Sequence, residues 1–99
     1  MKYFKNTSYR KNMKAVITVI GKDMVGILSK VSTACADANA NVAEVTQSVL
    51  EEYFAMVMLV DIEKMTCSLE DLKNSIKETV PSMTVHVMHE DIFNSMHRI

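Results

Sequence analysis

Two segments of this chain are apolar on both of their alternating residue sets, and that constrains the fold more than any other feature. In Lys14–Ile20, Ala15, Ile17 and Val19 fall on one side of an extended chain, and Val16, Thr18 and Ile20 on the other. In Tyr53–Ile62 the same holds for Phe54, Met56, Met58 and Val60 against Ala55, Val57 and Leu59. Strands of this kind belong in the middle of a sheet, where neighbours flank them on both edges. Two other segments are apolar on one side only. Val42–Leu50 sets Ala43, Val45 and Val49 against Glu44, Thr46 and Ser48, and Met83, Val85 and Val87 alternate with Thr84, His86 and Met88. These suit strands at or near the sheet edge.

Between the strands the apolar period changes to three and four. Met24, Ile27, Leu28, Val31, Cys35 and Ala38 line one face of a helix that should stop at Asn39, the residue that best replaces glycine in a left-handed cap. Leu69, Leu72, Ile76 and Val80 line a second, with Ser68 as N-cap, Asp71 three residues on and Pro81 as terminator. Glu51-Glu52 is the expected turn between the second and third strands. Glu90–Ile99 opens with two acids and repeats apolar residues at Ile92, Phe93, Met96 and Ile99, which predicts a short amphipathic tail helix. The expected fold is α+β: a ferredoxin-like βαββαβ sandwich, a four-stranded antiparallel sheet with two helices on one face, plus the extra C-terminal helix. Right-handed crossovers place the first and third strands in the centre.

The division expected along the chain is a flexible basic tail over 1–12, one domain over 13–89 and the C-terminal helix over 90–99. Of eleven Lys and Arg, four lie in the first twelve residues with no acid, which leaves seven against twelve acids in the remainder. Such an acidic body argues against nucleic acid as a partner. RNA recognition by this topology also needs aromatic and basic residues on the central strands, where Val16, Thr18, Val57 and Leu59 supply neither. The longest apolar run, Phe54–Val60, is too short to cross a bilayer. Cys35 and Cys67, without a CxxC or a secretory leader, read as reduced thiols in a cytoplasmic protein.

The segment from Val16 to Leu28, with Gly21-Lys22-Asp23-Met24-Val25-Gly26 at its centre, resembles the opening of ACT domains, in which a first strand enters a G-x-D-x-x-G turn and then a helix. Asn39-Ala40-Asn41-Val42 is similar to the family's step into its second strand. The ending, His89–Phe93 through His97-Arg98-Ile99, resembles that of very small stand-alone prokaryotic ACT proteins. The resemblance spans roughly 13–89. It implies a regulatory module that binds a small effector, an amino acid first among candidates, at the interface of a homodimer. With no catalytic or DNA-binding domain attached, the signal must pass to a separate molecule, such as a metabolic enzyme or regulator.

The ligand-binding set this implies is Gly21, Asp23, Met24, Val25 and Gly26 of one copy with Asn41 and Val42 of another. The residues suggest their own chemistry beside it. Two glycines around a helix start deliver bare amide N–H groups to the positive helix end, which suits a carboxylate. Asp23 either caps that helix or holds an ammonium group, capping being the commoner use, and Asn41 either serves its loop or contacts ligand. Lys22 reads as a solvated lysine. No catalytic residue is expected, and no cofactor or metal: Cys35 sits on an apolar helix face, Cys67 has no partner base, and His86 and His89 point to opposite faces of a strand. An enzyme is not expected. A different reading is a ligand-free interaction module that docks through a sheet face of Val16, Thr18, Val57 or Met58, and His86 together with the tail helix.

Overall fold

The apolar alternation is realised as a four-stranded antiparallel sheet. In a computed structural model that describes residues 13–22 and 25–96, the elements run β1 (Lys14–Gly21), α1 (Ile27–Asp37), β2 (Asn41–Leu50), β3 (Tyr53–Asp61), α2 (Leu69–Thr79), β4 (Thr84–His89) and α3 (Glu90–Met96). The strand order is β2-β3-β1-β4, so the two strands that are apolar on both sides are the central ones. The basic segment 1–12 and the last three residues of the expected tail helix lie outside the described residues.

Register explains which side chains meet. Val45, Met58, Ile17 and Val87 form one row across the four strands, and Thr46, Val57, Thr18 and His86 form the adjacent row on the other face. The first row belongs to the face under α1 and α2, where Ile17, Met56, Met58, Ile27, Leu72, Ile76 and Met83 are fully buried. Each such side chain contributes about 1.5–3 kcal/mol by leaving water. No polar or charged side chain is buried among the described residues, so the core is held by apolar packing alone.

The helix ends follow local chemistry. After α1, Ala40 N–H donates to Cys35 C=O at 2.8 Å and Asn39 N–H to Ala36 C=O at 3.0 Å, with Asn39 at φ 62°: a Schellman closure on the predicted asparagine. Asn39 Nδ2 also donates to Lys64 C=O at 2.8 Å, which ties this corner to the loop after β3. Ser68 Oγ accepts the Asp71 N–H at 3.1 Å and starts α2. Glu51, at φ 57°, makes the two-residue turn between Leu50 and Tyr53.

Two expectations need correction. The apolar side of β2 is not Ala43, Val45 and Val49. The register shifts between Val42 and Glu44, so Ala43 is the extra residue of a bulge, and the half-buried pair is Val42 and Val45 while Val49 is 57% exposed. The proposed sheet-face surface also changes. Met58 is fully buried under the helices, and Val16, only 4% exposed, lies on the opposite face yet is enclosed, since α3 folds back onto β1 and β4. Thr18 is half-buried, and Val57 and His86 remain exposed.

Candidate functional site

The turn between β1 and α1 is bounded by two glycines that are needed for different reasons. Gly21 ends β1 at ordinary φ. A Cβ there would overlap Met83 Sδ and lie 3.1 Å from its Cε and 3.4 Å from its Cα. Gly21 is therefore small because the buried Met83 packs against it. Gly26 is the N-cap of α1 at φ 70°, a left-handed conformation that costs other residues about 1–2 kcal/mol. Among the described residues, a Cβ there would meet only Lys30 Cε within 4 Å, at 3.9 Å.

Among the described residues, no side chain caps the helix start. Gly26 offers no side-chain cap, the first turn of α1 carries no acid, and Val25 is 82% exposed beside it. First-turn N–H groups and the helix dipole attract an anion at such an end. Asp23 and Met24 lie outside the described residues.

Asn41 and Val42 stand at the far end of the sheet. Gly21 pairs with Phe54, whereas Asn41 pairs with Asp61, which pairs with Lys14. The two halves of the expected set are thus separated by seven residues of β1, about 23 Å along the strand. One copy of the chain does not bring them together. Asn41 is exposed, and Val42 is half-buried against the core.

Around Asn41 the structure adds neighbours that its sequence position does not reveal. A 290 Å³ hollow is lined by Asn39, Asn41, Asp61, Glu63 and Lys64, with Asp61 Oδ1 accepting the Glu63 N–H at 2.9 Å. A second hollow, of 460 Å³, lies at the β1 end and is lined by Ile20, Gly21, Lys22, Tyr53, Ser82 and Thr84. Of these only Gly21 belongs to the expected set. The others converge through strand register, for example Ile20 opposite Thr84, which becomes visible only once the strands are paired.

The reactive side chains differ in exposure. Cys35 is fully buried, and burial pushes its thiol up from 9.0 to about 11, which keeps it protonated and inert. Cys67 is half-exposed. His89 Nδ1 accepts the Asp91 N–H at 3.3 Å, a local contact at the start of α3. Among the described residues no three His, Cys, Asp or Glu side chains cluster as metal ligands, and no helix is long and apolar enough to cross a membrane.

Comparison with known proteins agrees with this architecture. A UPF0237 protein of Clostridium perfringens is 47% identical over 89 residues, spanning 88% of this chain and all of that one. An ACT domain protein from Streptococcus pneumoniae superposes with a TM-score of 0.70 at 32% identity, over 86% of this chain and 98% of that one. A formyltetrahydrofolate deformylase from Pseudomonas syringae contains the same fold in 30% of its length, with a TM-score of 0.72 over 87% of this chain at 18% identity. The family model of the ACT domain matches residues 14–90. With that span covering every strand and both helices of the sandwich, the chain belongs to the ACT-domain family, a family of regulatory ligand-binding modules.

Proposed function

We propose that this chain is an effector-sensing module that works as a homodimer, binds an amino acid between its two copies, and acts on a separate partner such as a metabolic enzyme or regulator. The observation that carries this reading is the placement of the Gly26 turn and Asn41 at opposite ends of a sheet whose edge strand β2 has no buried residue. A two-fold axis that sets β2 antiparallel to its own copy moves the partner's end of the sheet alongside the first copy's Gly26 turn. The effector carboxylate then meets the first-turn N–H groups of α1, and its ammonium group meets the second copy's polar hollow, where Asp61 and Glu63 are the acids. The same pairing would cover the unpaired edge of β2 and the half-exposed Val42 and Val45. Asp23, Met24, Val25 and Val42 complete the proposed contact set.

Binding at a seam links occupancy to assembly. Thermal denaturation with a panel of amino acids, run beside sedimentation of the same samples, tests both halves. A ligand at one hundred times its Kd adds about 2.7 kcal/mol, and it should raise the dimer fraction as well as Tm. Asn41→Ala should weaken the ligand effect while leaving the unliganded Tm near that of the parent, because Asn41 is exposed. A panel that moves neither Tm nor the dimer fraction would count against the reading.

The ligand-free docking alternative retains one favourable observation. Ile92 and Met96 on the outer side of α3 are 55% and 63% exposed. Removal of residues 90–99 separates the two roles of this helix: loss of stability in the isolated protein marks it as a cover for Val16, and unchanged stability with loss of partner capture marks it as a docking element.

A further inference from the structure

The larger hollow lies on the sheet face away from α1 and α2, and its walls come from three strands of one copy. Ile20 and Tyr53, 45% and 48% exposed, form the apolar sides, and Thr84, opposite Ile20 in the β1–β4 register, and Ser82 complete the rim. Its volume of 460 Å³ falls in the range of pockets that hold small organic molecules.

Among the described residues Lys22 is the one charged side chain of this lining, and its ammonium is already paired with the Glu52 carboxylate just outside it. The Lys22 ammonium lies 3.1 Å from Glu52 and 5.7 Å from the Tyr53 ring centroid. Both members of the ion pair are more than 60% exposed, so their attraction is screened by water and an entering anion can take Glu52's place at little cost. The Ser82 and Thr84 hydroxyls make no hydrogen bond with any described residue and are available as donors. A cation over an aromatic ring, with two hydroxyls elsewhere on the same lining, matches a carboxylate attached to a flat apolar body.

We propose that this hollow is a second ligand site, complete within one copy, that takes small aromatic carboxylates. The carboxylate pairs with Lys22 and accepts from the Thr84 and Ser82 hydroxyls, while the ring lies between Ile20 and Tyr53. The site requires neither the Gly26 turn nor a second copy, and so does not depend on the dimeric reading above.

The full chain, labelled with ¹⁵N, is titrated with phenylacetate, with acetate as charge without body, and with phenethylamine as body with the opposite charge. The expected result is a saturable, millimolar response confined to the amides of Ile20, Lys22, Tyr53, Ser82 and Thr84. Acetate and phenethylamine should each bind at least about tenfold more weakly, and Lys22→Gln should weaken phenylacetate by a similar factor. Thr84→Phe, which fills the hollow from an exposed position, should abolish the response, and the spectrum of each variant reports independently that the fold is intact. Shifts scattered over the surface, shifts centred on Ile27 and Leu28, equal binding of the amine, or indifference to Lys22→Gln would each overturn the proposal. Failure here leaves the amino-acid panel and the dimer measurement untouched.

Discussion

Gly21→Ala discriminates between a glycine kept for ligand access and one kept for packing. The added Cβ overlaps Met83 Sδ and approaches Met83 Cα to 3.4 Å. Met83 is 2% exposed, so its thioether has no solvent to swing into. Overpacking of this kind costs about 1–3 kcal/mol. Working the other way, alanine restricts the unfolded chain and returns about 0.4–1 kcal/mol, and the ordinary φ of Gly21 adds no backbone strain. The net expectation is a loss of about 1–2 kcal/mol, or roughly 4–16 °C in Tm for a domain of this size. Urea denaturation followed by circular dichroism measures it. The decisive arm is the double variant: Met83→Ala removes the opposing sulfur at its own cost of about 2–5 kcal/mol, and in that background Gly21→Ala should become neutral or stabilising. Equal cost of Gly21→Ala in both backgrounds would refute the packing argument, as would a neutral effect in the parent.

Gly26→Ala should lose about 1–2 kcal/mol for a purely backbone reason, and Gly26→Asn less, because asparagine tolerates the left-handed region; the same urea curves report both. Ser68→Ala removes the acceptor for the Asp71 N–H and should cost about 1 kcal/mol in that assay. At mildly alkaline pH a thiol reagent should modify Cys67 in the native protein and Cys35 only after unfolding. The Cys35 pKa is raised in the folded state, so its contribution to stability is complete below pH 9 and should be lost as pH rises toward about 11; a stability that stays flat across that window in the parent relative to Cys35→Ala would contradict the burial argument.

Much of the fold was legible because its signals are local. Two apolar sets on each of β1 and β3 marked the central strands, Asn39 marked the end of α1, and Ser68 with Pro81 bracketed α2. The bulge at Ala43 was not legible. It is an event of hydrogen-bond register with no residue signature of its own, and a strict period of two assigned Ala43 a place that Val42 takes. Val16 was misread for a related reason: nothing in its own neighbourhood announces that a helix seventy residues later returns to cover it. At the candidate site, the G-x-D-x-x-G spacing marked the turn between β1 and α1, yet it gave both glycines one role. Only tertiary contact shows Gly21 pressed against Met83 while Gly26 has no such described neighbour, and only strand pairing brings Tyr53 and Thr84 into one lining with Lys22.

β2 is ten residues long, and none of them is enclosed by the described residues. If the proposed pairing through β2 holds, folding and association are governed by almost separate sets of positions. Gln47, Ser48 or Val49 can change without disturbing the rows of Ile17, Met56 and Met58 that hold the domain together. A lineage can rewrite this edge in single steps while its scaffold stays constant, and a protein engineer can do so with similar freedom.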